Sequence, residues 1–86
     1  MPTISIFYGI MIQMFWKDHA PPHFHARYGQ YKVAINIQTL EIMKGKMPSM
    51  ALNLNTEWAL RTRQALLEDW ELCQRNQVPQ KIAPLK

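Results

Sequence analysis

The sequence is poor in cysteine, and it has no long hydrophobic run. Its single cysteine, Cys73, excludes an internal disulfide and is typical of a protein that folds in a reducing compartment. No apolar segment approaches the ~20 residues that cross a membrane. The first residues lack the basic and apolar regions of a secretory signal. We therefore expect a cytoplasmic protein that has no membrane partner.

Acidic residues are scarce as well, with 6 Asp and Glu against 10 Lys and Arg. The net charge of +4 favours an anionic partner such as RNA, DNA or an acidic protein, although many small basic proteins bind no nucleic acid. The 86 residues, 48% hydrophobic and 19% charged, are typical of one folded domain. We assign residues 1–77 to a single α+β domain and residues 78–86 to an extended C-terminal tail.

The first half of the chain alternates in residue character, which predicts an antiparallel meander of four or five strands. The predicted strands are residues 3–8, 10–17, 23–28 and 31–37, with a short fifth strand near 41–44. Tight turns at Tyr8-Gly9-Ile10 and at Gly29-Gln30 should join neighbouring strands as hairpins.

Pro48 marks the start of one long C-terminal helix, because residues 49–75 contain no glycine or proline. Apolar residues of this segment fall on one broad arc: Ala51, Leu54, Trp58, Ala65, Leu66, Trp70, Leu72 and Cys73. A helix of this length would extend ~39 Å. We therefore expect a break near residues 53–55, where Asn can cap a new start. The helix should pack on one face of the sheet.

All three histidines lie within residues 18–28, around a rigid Pro-Pro pair. Side chains alternate between the two faces of a strand, so His23, His25 and Arg27 should point to one face. Apolar residues of this strand and the next should point to the other face, beneath the helix: Phe24, Ala26, Tyr28, Val33, Ile35 and Ile37. The polar row should then lie on the open face.

That open face should also carry Lys32 and Asn36 and, depending on register, Gln13, Phe15 and Lys17. Histidine titrates near neutral pH, so two histidines can act as acid and base on a ribose 2′-hydroxyl beside a cation at the phosphate. The predicted site comprises the catalytic residues His23, His25 and Arg27 and the nucleic-acid-binding residues Arg27, Tyr28, Tyr31 and Lys32. Such a ribonuclease would need no metal or other cofactor, and whether the protein is an enzyme stays open.

Three other interpretations of the histidines remain. The spacing of His23 and His25 suits metal ligands, with His19 reaching back as a third ligand and Asp18 as the nearest carboxylate. Alternatively, His19 and His23 hydrogen-bond backbone groups and fix the Pro-Pro loop. A solvated polar sheet face is the plainest interpretation.

The helix contributes two further expectations. Leu60 and Leu67 lie seven residues apart and outside the apolar arc, which suggests a partner surface on a non-enzymatic interaction module. The tail could bind a partner protein in the same module. Asp69 lies on the arc, and because a buried carboxylate is costly we expect it to accept a hydrogen bond.

Several segments along nearly the whole chain match a known pattern. They are Met1-Pro2-Thr3-Ile4, Tyr8-Gly9-Ile10, Asp18-His19, Pro21-Pro22-His23-Phe24-His25, Tyr28-Gly29, Glu57-Trp58, Leu66-Leu67-Glu68, Trp70-Glu71, Lys81-Ile82 and Pro84-Leu85. Through them the chain resembles the bacterial family called domain of unknown function 4160, which usually has Asn at the position of Asp69. The resemblance implies a toxin-like component of a toxin–antitoxin-type pair, with a small partner protein encoded nearby. RNA is the target that the predicted His/Arg face and the net charge favour.

Overall fold

The structure, a computed structural model, describes residues 2–86, so Met1 of the expected domain lies outside it. Its elements in chain order are β1 (Thr3–Phe7), β2 (Ile10–Gln13), β3 (His23–Tyr28), β4 (Tyr31–Asn36), β5 (Ile42–Lys46) and α1 (Ser49–Gln74). The five strands form one antiparallel sheet in the order β1-β2-β3-β4-β5. This confirms the α+β class, the meander and the fifth strand. Within residues 2–86, no helix has both the length and the hydrophobicity needed to cross a membrane.

The β1–β2 hairpin has a two-residue turn, and β2 ends earlier than expected. Tyr8 and Gly9 both have positive φ, 50° and 79°, as the tight hairpin turn requires. The strand ends at Gln13 rather than at residue 17. The Met14 N–H still donates to the Pro2 carbonyl (3.2 Å), but the Lys17 N–H donates to the Cys73 carbonyl (3.2 Å) at the end of α1. The alternation of residues 14–17 therefore does not reflect a strand.

The core lies between one sheet face and α1. Phe24, Val33 and Ile35 are buried there, and the Trp58 ring lies 5.9 Å from the Phe24 ring between centroids. The helix was expected to cover Tyr28 as well, which is wrong, because Tyr28 is 37% exposed at the turn end of the β3–β4 hairpin. The remaining apolar row is covered as expected.

The helix departs from regular geometry at Thr62, with φ −119° and ψ 17°, and not at the expected residues 53–55. The Thr62 hydroxyl donates to the Trp58 carbonyl one turn earlier (2.8 Å). Hydroxyl bonds of this kind bend helices because they compete with the backbone ladder. Asn55 does not begin a second segment, since it lies fully buried within the helix.

Residues 78–86 have no regular secondary structure, and they dock on the domain itself. The Ile82 N–H donates to the Ile4 carbonyl of β1 (2.8 Å). The indole N–H of Trp58 donates to the Ala83 carbonyl (2.9 Å), and Leu85 is buried. The tail is therefore part of the packed structure.

Asp69 is the buried carboxyl of the helix, and it is only 2% exposed. Its Oδ1 accepts the expected hydrogen bond, which comes from the backbone N–H of Gln80 (2.8 Å), whereas Oδ2 has no hydrogen-bond partner among residues 2–86. Burial raises the pKa of Asp69 above its ordinary value; the Gln80 bond opposes this rise, and the negative charge of Glu68 adds to it.

We expect Asp69→Asn to raise the free energy of unfolding by about 1 kcal/mol at pH 7, because a neutral amide is cheaper to bury unpaired than a carboxylate. The folded protein binds a proton at Asp69 more tightly than the unfolded chain does. Wild-type stability should therefore fall as the pH rises from the ordinary carboxyl pKa through the raised one. Urea denaturation from pH 3 to pH 7 should show the advantage of the variant growing with pH. An advantage that is equal at all pH values would contradict the assignment.

Candidate functional site

One carboxylate oxygen lies between two imidazole rings at the start of β3. The Oδ2 atom of Asp18 is 2.9 Å from Nε2 of His23 and 2.9 Å from Nε2 of His25. These three side chains are the only group of three or more potential metal-ligating residues found in the described part of the chain, and their ligand atoms lie within 4.8 Å of one another. We call them the Asp18 cluster.

The loop between β2 and β3 holds Asp18 in place. Its Oδ1 accepts the backbone N–H of His19 (2.8 Å), and its carbonyl accepts a bond from the Gln74 side chain (3.2 Å) at the end of α1. Burial raises the pKa of Asp18, but the hydrogen bonds from His25, His19 and His23 and the electrostatic interaction with His23 outweigh it and hold the pKa below its ordinary value. The carboxylate is therefore ionised and fixed.

His23 is buried, with only 5% of the residue exposed. It lies on the same side of β3 as His25, but its ring packs against Trp70, with 5.2 Å between the ring centroids. The expectation that the helix leaves His23 uncovered is therefore wrong, because Trp70, near the C-terminal end of α1, contacts its ring. Its Nδ1 lies 2.8 Å from the Pro21 carbonyl, so both ring nitrogens are already engaged.

His25 is the member of the cluster that reaches the open sheet face. Its ring stacks on Phe15, with 4.0 Å between centroids and 24° between planes, and about a quarter of its side chain is exposed. It lies opposite Gln13 on β2 and Ala34 on β4. The stack and the bond to Asp18 fix the orientation of the ring.

A groove of about 360 Å³ runs across this open face. It is lined by Gln13, Phe15, His25, Ala26, Arg27, Lys32, Val33, Ala34, Lys44 and Gly45. Ala34 lies between His25 and Lys44 in the strand register, and its small side chain leaves the depression. The expected extension of the face by Gln13 and Phe15 is confirmed, whereas Lys17 does not line the groove.

Cations form a second row across the same face. Arg27 of β3 lies opposite Lys32 of β4, which lies opposite Lys46 of β5. Like charges directly opposite each other on a sheet destabilise it. In the part of the chain that the structure describes, none of these cations or Lys44 lies within 4.0 Å of a carboxylate. The first row is His25, Ala34 and Lys44, and the second is Arg27, Lys32 and Lys46. We call the groove with these two rows the basic groove, and its positive charges are unpaired.

The remaining predicted residues lie elsewhere. Tyr28 and Tyr31 face each other across the β3–β4 hairpin, but neither lines the basic groove. His19 is exposed, and its ring makes no hydrogen bond to the described residues. Lys44 was not among the predicted site residues, because only the pairing of β5 with β4 brings it to the groove.

The fold and the site define a small α+β protein with a carboxylate–histidine cluster at one end of a basic sheet groove. The model of the family DUF4160, described as a domain of unknown function, matches residues 9–71, which is most of the chain. The chain belongs to this family, as the resemblance of its motifs indicated. No curated protein and no solved structure matches it.

Proposed function

We propose that this protein is the toxin-like member of a bacterial toxin–antitoxin-type pair, and that it binds single-stranded RNA in the basic groove in the cytoplasm. The observation that carries the proposal is the row of Arg27, Lys32 and Lys46, which lie opposite one another without a carboxylate partner in the described chain. A polyanion in the groove would offset their mutual repulsion. The partner of the pair is a small protein encoded nearby.

The groove also offers an aromatic surface for bases. Proteins that bind single strands combine a basic groove along the backbone with aromatic side chains on which bases stack. Phe15 lines the groove next to His25, and their stacked rings provide such a surface. Tyr28 and Tyr31, in contrast, contribute to RNA binding only if the bound RNA continues from the basic groove to the β3–β4 turn.

The burial of His23 favours binding over cleavage by a pair of histidines. A general acid or base must come within hydrogen-bond reach of the reacting proton, directly or through one water. Both ring nitrogens of His23 are engaged inside the protein, so His25 is the histidine that faces the groove. The alternative partner surface on the helix is also reduced, because Leu67 packs against the core and leaves Leu60 exposed alone.

Ala34→Glu tests the proposal, with Ala34→Gln as a control of the same size. The new carboxylate would lie on the groove floor between His25 and Lys44, so we expect RNA affinity to fall at least ~10-fold, equivalent to about 1.4 kcal/mol. Ala34→Gln should stay much closer to the wild type. Arg27→Ala should reduce the slope of log K against log salt by about 0.7, as one phosphate contact to a single strand does. Fluorescence anisotropy with a labelled single-stranded RNA measures all three.

The same variants test the toxin-like role in cells. Expression of the wild type without its genomic neighbour should arrest growth, and Ala34→Glu should relieve the arrest where Ala34→Gln does not. Equal RNA binding by the two Ala34 variants would overturn the groove assignment. Loss of RNA binding without relief of the arrest would separate the groove from toxicity and favour a protein target.

A further inference from the structure

We propose that the Asp18 cluster binds a divalent transition-metal ion of the zinc class, through Oδ2 of Asp18 and Nε2 of His23 and His25. Two imidazoles and one carboxylate are a donor set that Zn²⁺ and Fe²⁺ accept in proteins. Two ligands on an ion with ~2.1 Å bonds lie ~3.4 Å apart at the tetrahedral angle and ~3.0 Å apart at the right angle of a six-coordinate ion. The observed separations of 2.9 Å from Oδ2 to each Nε2 atom are close to the right-angle value.

The hydrogen bonds of His23 point to the same conclusion. A backbone carbonyl can only accept, so the contact of Nδ1 with the Pro21 carbonyl places a proton on Nδ1. In the neutral ring Nε2 then carries a lone pair, and this lone pair faces Oδ2 of Asp18 at 2.9 Å. Two acceptors at this distance need either a proton or a metal ion between them. A bound metal ion would use both lone pairs and leave the ring neutral.

The surroundings of the cluster resemble those of metal ligands. A histidine that binds a metal usually donates its other ring N–H to a carbonyl or carboxylate, as His23 does to Pro21. The remaining oxygen of Asp18 is held by the His19 N–H, and the two rings are held by Trp70 and Phe15. The donors are therefore fixed before any ion arrives, which lowers the entropic cost of binding.

The site would also change the charge at the end of the basic groove. One ionised carboxylate and two neutral imidazoles carry a charge of −1, and a divalent ion would make it +1. Three protein ligands leave at least one position open on the ion, whether it is four- or six-coordinate. Because His25 lines the groove, a small anion or an oxygen of a groove ligand is the class of molecule suited to that position. Metal binding itself does not depend on the proposed binding of RNA.

Metal-stripped protein should be titrated with Zn²⁺ in a calorimeter and with Co²⁺ in a visible spectrometer. We expect one ion per chain, an absorption change as protein ligands replace water on Co²⁺, and no comparable binding of Mg²⁺. Asp18→Asn keeps an oxygen for the His19 N–H but replaces one ligand oxygen, and it should weaken Zn²⁺ binding at least ~10-fold. His25→Ala should do the same. His19→Ala is the matched control, because it removes an exposed neighbouring imidazole, and it should bind as the wild type does.

Two outcomes of these titrations would overturn the proposed metal site. No Zn²⁺ binding by the folded wild type would overturn the proposal and leave the cluster as an ion pair between Asp18 and protonated His23. An equal loss in His19→Ala and His25→Ala would assign the ion to exposed imidazoles and would also overturn it. His23→Ala removes a ring packed on Trp70, so it is interpreted only if circular dichroism shows a native fold. Asp18→Asn and His25→Ala decide the question in either case.

Discussion

Replacing Trp58 with Ala is expected to lower the free energy of unfolding by about 3–5 kcal/mol. The side chain is 1% exposed and lies 5.1 Å from the Phe7 ring and 5.9 Å from the Phe24 ring, between centroids. Truncation would leave a cavity between helix and sheet. It would also remove the donor that holds the Ala83 carbonyl of the tail, so two parts of the structure loosen together. A domain of this size has only about 4–13 kcal/mol in total.

Two further tryptophan variants separate the effect of the lost buried volume from that of the lost hydrogen bond. Trp58→Phe keeps most of the buried volume but lacks the indole N–H, so its loss should be about 1–2 kcal/mol. Trp16→Ala removes an exposed indole that also donates to a backbone carbonyl, that of Gln77, and should cost about 1 kcal/mol. Thermal denaturation followed by circular dichroism should show the lowest melting temperature for Trp58→Ala, then Trp58→Phe, then Trp16→Ala. Trp58→Ala should melt at least ~12 °C below the wild type. Similar losses in Trp58→Ala and Trp16→Ala would contradict the central role of Trp58.

Gly45→Ala is expected to cost at least about 2 kcal/mol and to detach β5 from the sheet. Gly45 has φ +87°, where an L side chain is strained, and an added Cβ would meet the backbone carbonyl of Lys32 on the neighbouring strand. Because the atoms that the new Cβ would meet belong to the backbone and not to a flexible side chain, the two strands would have to separate. Lys44 and Lys46 would then move away from Arg27 and Lys32, and RNA affinity should fall with the loss of stability.

Gly29→Ala provides the control for backbone strain. Gly29 also has positive φ (+59°), but an added Cβ would have no heavy atom within 4 Å. It should therefore cost only the ~1 kcal/mol of a left-handed residue. Urea denaturation gives the two free energies, and amide hydrogen exchange shows whether the protection of Ile42–Lys46 is lost only in Gly45→Ala. Equal effects of the two substitutions would mean that β5 tolerates a side chain at this position.

The parts of the fold that follow local rules could be predicted from the sequence. β3 and the start of β4 agree with the expected ranges, because alternating residues and a glycine turn determine a hairpin locally. The end of β2 could not be predicted, since residues 14–17 alternate equally well whether they pair with a strand or contact the end of α1. The irregularity at Thr62 was also missed, because a hydroxyl bond to the preceding turn has no periodic signature.

The candidate site, too, could be predicted from the sequence only in part. The placement of His25, Arg27 and Lys32 on one face follows from the two-residue period of strands. The central position of Asp18 does not, because it depends on the path of a loop that Gln74 of the helix holds from 56 positions away. The cover over His23 depends in the same way on where α1 ends. Contacts between segments that are distant in the sequence determine the position of Asp18 and the burial of His23. Such contacts cannot be predicted from a local sequence pattern.

The docked tail makes the two outer strands of the sheet unlike each other. A strand at the border of a sheet presents unpaired N–H and C=O groups that can pair with another chain. At β1, the Ile82 N–H already occupies the Ile4 carbonyl, whereas β5 is exposed along its whole length. Antiparallel pairing of β5 with a second copy would bring Lys44 and Lys46 close to the same residues of that copy, and charge opposes this. The barrier to self-association should therefore weaken with salt, as the Debye length falls from about 30 Å at 0.01 M to about 3 Å at 1 M.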